Sequence, residues 1–170
     1  MTTEPRNPIA ETQALLARGT KALSQRMRSD RVRRDSGARA MLHPGILIVE
    51  DDANTGRLTW RALQAHPEID LSIASSLGAA RRCMSRDVPW DVVVVDLNLG
   101  GERGEELVHE LLLSGAVRQV VVFTGLERHD ALQRLGADAS KVLIREKSDG
   151  DITAWLVDLA GDSAKQRLAR

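Results

Sequence analysis

Four consecutive valines, Val92-Val93-Val94-Val95, stand between Asp91 and Asp96, and no other segment restricts the fold as strongly. A β-branched apolar run without alternation predicts a strand buried on both faces, as at the centre of a parallel sheet covered by helices. Such a strand delivers Asp96 to its carboxyl end, the edge at which open α/β sheets place their sites. Taken alone, an acid there is equally well explained as a turn residue or a helix cap. Three further stretches repeat the pattern: Ile46–Val49 closes on Glu50, Asp51 and Asp52, Val120–Phe123 closes on Thr124, and Val142–Ile144 closes on Arg145, Glu146 and Lys147.

Helical signals alternate with these strands, which predicts a doubly wound α/β domain of five strands and five helices with no internal repeat. After the first strand, Asn54 or Thr55 can cap a helix to about His66, with Leu58 and Leu63 facing inward and Pro67 beyond its end. The second strand covers about Asp70–Ala74, and Ser75 or Ser76 caps a helix through about Arg86. Beyond the valine strand the loop from Leu97 to Gly104 is glycine-rich. A helix over Glu105–Leu113 follows, ended by Gly115. Val117–Thr124 is the fourth strand. A short helix from Glu127 to about Leu135 stops at Gly136, and Val142–Arg145 is the fifth strand. The last helix starts at about Asp151 and carries Ile152, Trp155, Leu156 and Leu159 on one face.

His43-Pro44-Gly45 marks a boundary. We therefore divide the chain into a basic extension over 1–44, a domain over 45–161 and a tail over 162–170. At 170 residues and 42% apolar content the chain can fill one core of ordinary size. Its 24 basic and 24 acidic residues balance, so net charge gives no pointer to nucleic acid. Locally the balance fails: residues 1–44 hold nine basic side chains against four acidic ones. Ile9, Leu16, Leu23 and Met27 recur there at roughly helical spacing among arginines, which predicts an amphipathic basic helix over about 9–34. It reads as a solvated helix or as a dimerisation or docking element. Without an aromatic residue it suits neither base stacking nor a membrane interface. One cysteine, Cys83, excludes an internal disulfide, and neither a membrane-spanning run nor a signal peptide is visible, so a cytoplasmic location is expected.

Parallel strands end on the same side, so Glu50, Asp51, Asp96, Thr124 and Lys147 should converge. Carboxylates crowded there need a counter-charge, and their hard oxygens suit a divalent cation, Mg²⁺ above all. With that charge screened, a carboxylate can attack phosphorus and form an acyl phosphate, and Asp96 is best placed to do so. Lys147 and Thr124 would then bind the phosphoryl oxygens.

From Ile46 to about Ala160 the chain resembles the receiver domains of two-component response regulators. The resemblance rests on Ile-Leu-Ile-Val-Glu-Asp-Asp at 46–52, Asp-Leu-x-Leu-x-Gly-x-x-Gly at 96–104 (counting Gly101 and Gly104), Phe-Thr-Gly at 123–125 and the lysine after strand five. It implies a flavodoxin-like sheet of strand order 2-1-3-4-5. It also implies that Asp96 takes a phosphoryl group from a histidine kinase or histidine phosphotransfer protein. Asp51, Asp96 and the backbone carbonyl of Asn98 would hold Mg²⁺, with Glu50 acting through water, although the pair Asp51 and Asp52 is an alternative. Thr124 matches the hydroxyl that moves toward the phosphate and Lys147 the ammonium, with Arg145 a weaker candidate. Asn98 and Leu126 match the positions that gate attacking water.

Departures accompany the match. Gly100 replaces a proline, which should loosen its loop. Ser148 follows Lys147 where many members have proline. The chain has no tyrosine, and Ile144 stands where the family usually has a switch aromatic. The resemblance thus implies a single-domain response regulator, with no output domain expected in Gly161–Arg170. It would signal through a downstream protein or a phosphorelay, as a phosphoacceptor and not an enzyme of metabolites. The alternatives are a phosphorylation-independent pseudo-receiver scaffold, and DNA or partner binding, including homodimerisation, through the basic helix. Neither a membrane nor, in the leading reading, nucleic acid is expected as a partner.

Overall fold

The computed structural model describes residues 43–85 and 89–168. The basic helix expected over 9–34, and with it nearly all of the extension, lies outside them. Strand β1 (Gly45–Val49), helix α1 (Ala53–Leu63), β2 (Asp70–Ala74), α2 (Leu77–Met84) and β3 (Val92–Val95) come first in chain order. They are followed by the short strands β4 (Asn98–Leu99) and β5 (Glu102–Arg103), then α3 (Gly104–Ser114), β6 (Gln119–Thr124), α4 (Arg128–Leu135), β7 (Leu143–Glu146) and α5 (Thr153–Leu168). The main sheet is wholly parallel in the order β2-β1-β3-β6-β7. With the β4–β5 hairpin set aside, this is the 2-1-3-4-5 order of the flavodoxin-like fold.

All four valines of β3 are buried, as a strand covered on both faces requires. Alternate residues feed two cores. Val93 and Val95 face one core with Leu47, Leu107, Leu111 and Ala131, under α2, α3 and α4. Val92 and Val94 face the other with Ile46, Leu63 and Leu156, under α1 and α5. Helix caps match the local chemistry. Ser76 accepts the Ala79 N–H at the start of α2, and Gly115 ends α3 in the left-handed region at φ 60°.

Three local expectations are corrected. Helix α1 is capped by Asp52, whose side chain accepts the Thr55 N–H at 2.7 Å, and not by Asn54 or Thr55. Leu58 does not face inward: it is 65% exposed while Leu63 is buried. Five residues on a helix turn the side chain well away from its starting face, and the buried positions are Gly56 and Leu63, seven apart. The final helix does not yield to a tail at 162, because α5 continues through Gly161 to Leu168. Ile152, Leu156, Ala160 and Ser163 are buried along one stripe that spans the glycine, so packing outweighs the cost of about 1 kcal/mol for an interior glycine.

The glycine-rich loop is ordered differently from expectation as well. Gly100 and Gly101 have φ of 57° and 96° and form the two-residue turn of the β4–β5 hairpin. Proline cannot adopt a positive φ, so glycine at 100 tightens this turn where a looser loop was anticipated. Gly104 opens α3 against the preceding chain: a Cβ there would lie 1.9 Å from the Asp96 carbonyl oxygen. Gly104→Ala is therefore expected to cost roughly 3 kcal/mol or more in urea unfolding. Gly161→Ala, with open space around it, should stabilise by about 0.5–1 kcal/mol in the same measurement. Equal midpoints for both variants would contradict the packing described.

Candidate functional site

Sheet register brings the polar strand ends to one edge. Val49 pairs with Val95, so Glu50 stands level with Asp96. Val95 pairs with Val122, and Thr124 with Glu146, which sets Thr124 and Lys147 slightly further along the same edge. Glu50 and Asp96 are buried at 4% and 5% exposure, Thr124 is fully buried and Asp51 is exposed. Lys147 reaches from the end of β7 to both buried acids, its Nζ lying 2.7 Å from Glu50 Oε2 and 2.7 Å from Asp96 Oδ2. Arg145, the other cation of that segment, lies over the Trp155 ring at 4.9 Å instead.

The remaining oxygens are also engaged. Glu50 Oε1 accepts the Asp52 N–H at 3.2 Å, and Asp96 Oδ1 accepts the Asn98 N–H at 3.1 Å. Thr124 Oγ1 accepts the Leu126 N–H at 3.3 Å, which leaves its own hydrogen to donate elsewhere. One carboxylate oxygen each from Glu50, Asp51 and Asp96 lies within 4.8 Å of the others, a grouping that could hold a metal ion. Oxygen donors of this kind fit a hard divalent cation, and exposed Asp51 leaves one side of the group open to solvent. Asp52, the alternative partner of Asp51, is occupied as the helix cap.

Burial, reinforced by the neighbouring charge of Asp96, raises the Glu50 pKa above its ordinary value, and the opposing pull of Lys147 does not cancel it. Burial also weighs against the Lys147 ammonium, yet hydrogen bonds and charge from Asp96 and Glu50 prevail and raise its pKa. One lysine thus keeps its proton firmly while serving two acids, too few cations to hold Glu50 fully ionised at low cost. A cavity of about 10 Å³ lies behind Glu50 and Asp96, bordered by Thr55, Thr59 and Phe123, with room for a water and not for a metabolite.

Two contributors escaped the sequence reading. Gly56 of α1 is buried on the side of the helix that faces Glu50, where even a Cβ would reach Cγ only in ordinary contact at 4.0 Å. Arg134 of α4 donates to Asn98 Oδ1 at 2.6 Å and to the Leu97 carbonyl at 2.8 Å. The paired glycines at 100 and 101 do signal a hairpin in the sequence. For Arg134, 37 residues from Leu97, no local signal exists.

The class of protein is fixed by these features as a flavodoxin-like α/β domain with acids and a lysine gathered at the carboxyl edge of its sheet. No family model and no curated protein matches the sequence. Solved structures do match. The signal receiver domain of a DNA-binding response regulator from Colwellia psychrerythraea 34H is 24% identical, with TM-score 0.57 over 74% of this chain and 98% of that one. A response regulator from Burkholderia pseudomallei, solved with a phosphorylated aspartic acid, calcium ion and citrate, is 17% identical, with TM-score 0.56 over 74% and 71%. The response regulator TrrA from Thermotoga maritima, in complex with Mg²⁺-BeF, is 17% identical, with TM-score 0.53 over 68% and 97%. The fold of this chain is that of a response-regulator receiver domain.

The charge arrangement sets a pH dependence. Because the folded-state pKa of Glu50 is raised, its contribution to stability is fully present below the ordinary 4.5 and is lost as pH rises through the folded value. In the absence of divalent cations, Glu50→Gln is therefore expected to be more stable than the wild type at pH 7, with the difference vanishing on acidification below 4.5. Lys147→Met should lose roughly 3 kcal/mol at pH 7, because it strands two buried carboxylates, and should recover part of that as Glu50 protonates. Denaturant titrations across pH decide both, and a Glu50→Gln variant less stable than wild type at neutral pH would contradict the electrostatic account.

Proposed function

We propose that this chain is a response-regulator receiver that accepts a phosphoryl group on Asp96 and passes the signal on by protein contact or phosphoryl relay. The observation that carries this reading is the double 2.7 Å contact of Lys147 with Glu50 and Asp96 beside a three-carboxylate cluster. That set joins a nucleophilic oxygen, a cation for phosphoryl oxygens and a donor group for a metal at one sheet edge. The phosphorylated aspartic acid of the Burkholderia pseudomallei structure and the Mg²⁺-BeF of the Thermotoga maritima structure support it by analogy of fold.

An Asp96 carboxylate oxygen attacks phosphorus, an acyl phosphate bond forms, and the bond from phosphorus to the donor breaks. The leaving group keeps the electron pair: acetate from acetyl phosphate, or an imidazole that then takes a proton when the donor is a phosphohistidine of a kinase or phosphotransfer protein. Lys147 gives up part of its hold on Asp96 and donates to the phosphoryl oxygens, and the Thr124 hydroxyl supplies a second donor. Glu50, Asp51, Asp96 and the backbone carbonyl of Asn98 are the groups that would hold Mg²⁺, which supplies charge neutralisation for the incoming phosphoryl group. Catalysis is then confined to the domain's own modification, in a cytoplasmic signalling role.

A phosphorylation-independent scaffold is the second reading. It is favoured by Ile144, which lies partly buried against the core on β7 where the resemblance leads one to look for an aromatic switch. The two readings part in one experiment. Incubation with acetyl phosphate and Mg²⁺ is expected to add the mass of one phosphoryl group, and chelation or Asp96→Asn should abolish it. Wild-type protein that stays unmodified would leave the scaffold reading.

A further inference from the structure

The peptide group joining Leu97 to Asn98 is held on both sides. Its N–H donates to Asp96 Oδ1 at 3.1 Å. Its carbonyl accepts Nη2 of Arg134 at 2.8 Å and the Gly104 N–H at 3.1 Å. The same guanidinium donates through Nη1 to Asn98 Oδ1 at 2.6 Å. It also forms a two-pronged pair with Glu105 of α3, Nη2 to Oε2 at 2.5 Å and Nε to Oε1 at 3.2 Å. Although burial opposes it, the Arg134 bond with its charge helps hold the Glu105 carboxyl below its ordinary range, so the pair stays ionised at neutral pH.

A cation on a carbonyl oxygen polarises the amide and strengthens the N–H on its far side as a donor. Here that N–H meets the acceptor carboxylate. We propose that Arg134 is a positioning residue for Asp96, acting through the Leu97–Asn98 peptide: it fixes the peptide's orientation and reinforces the hydrogen bond that aims Oδ1. This inference rests on the reading of Asp96 as phosphoryl acceptor and adds to it a residue on α4 that never touches the acceptor.

Helix α4 is bound to the site at its other end too. The Arg128 N–H donates to Glu146 Oε1 at 3.1 Å, and Glu146 precedes Lys147. The helix therefore joins the loop after Asp96 to the strand end that carries the lysine. By linkage, a protein that docks on α4 and draws Arg134 from Leu97 disfavours the aimed state of Asp96, and a change at Asp96 alters the hold on α4 in return.

The test uses the full chain with Arg134→Met and, as a variant that keeps the charge and most of the stem, Arg134→Lys. An ammonium cannot serve Leu97, Asn98 and Glu105 in the fork geometry that a guanidinium provides. Both variants are expected to move the Asn98 amide proton upfield in ¹H–¹⁵N spectra. Both should also slow phosphoryl uptake from acetyl phosphate with Mg²⁺ by roughly tenfold, the effect of one weakened charge-assisted hydrogen bond. An Asn98 resonance at the wild-type position in either folded variant overturns the proposal, and so does an upfield shift with unchanged uptake. Slowed uptake with an unmoved resonance also overturns it, since that pattern belongs to general loosening of α4. If the wild type takes no phosphoryl group, the acceptor reading fails separately, and the amide shift alone decides whether Arg134 acts through the peptide.

Discussion

The ion cluster of Lys147 with Glu50 and Asp96 is the constraint on which the arrangement of this domain turns. Two carboxylates buried at neighbouring strand ends repel one another and lose hydration, and neither cost is met by its own strand. The compensating ammonium arrives from β7, two strands away from β3 in the sheet, and reaches both acids at 2.7 Å. Strand order and electrostatics therefore specify one another. Moving β7 by one residue against β6 would carry Lys147 off the acids as well as reverse which side chains face the core. The site is a condition of the fold's correctness at that edge, and for Glu50 burial outweighs the pull of Lys147.

That coupling explains why so much was legible in the sequence. Apolar runs that stop abruptly on charged residues report two facts at once, burial of the strand and polarity of its tip, and parallel topology aligns the tips. Glu50, Asp51, Asp96, Thr124 and Lys147 could be placed on one edge from those stops alone. Legibility failed where the deciding contact is remote. Leu58 looks like a core residue until the helix phase is fixed by Gly56 and Leu63 against β2 and the sheet. Helix α5 passes Gly161 because Ala160 and Ser163 are covered by the rest of the domain. The hairpin at 98–103 was legible in principle, since two adjacent glycines permit a turn with both central φ values positive. Arg134 was not, since an arginine near the end of a short helix is ordinarily a solvated charge.

The interior of the edge also separates two kinds of interaction by their reach. Hydrophobic packing under β3 is tolerant in direction, and its residues can exchange among themselves with small losses. Hydrogen bonds to ionised groups fall off steeply with angle and distance, so the loop from Asp96 to Gly104 is fixed by a few polar contacts and one close backbone approach. Glu102 extends the same logic outward. Its carboxylate accepts the Leu77 N–H at the start of α2 at 2.8 Å, and so the hairpin is fastened to a helix on the same face of the sheet.

A site at a sheet edge becomes a signal only if some outer surface changes with it. An aromatic side chain that swings between solvent and core does this by volume; where the resemblance to receiver domains implies one, β7 has Ile144, a branched residue partly buried against the core. Volume is therefore a weak carrier here. Direction is a stronger one: α4 is tied to the loop after Asp96 by the Arg134 fork and to the lysine-bearing strand end by Glu146. A fork of this kind has one good geometry, so a displacement of the Leu97–Asn98 peptide too small to open a packed core is enough to break it. The orientation of a single peptide group thus links the buried Asp96 carboxylate to helix α4, by contacts that depend on direction where those of Ile144 depend on volume.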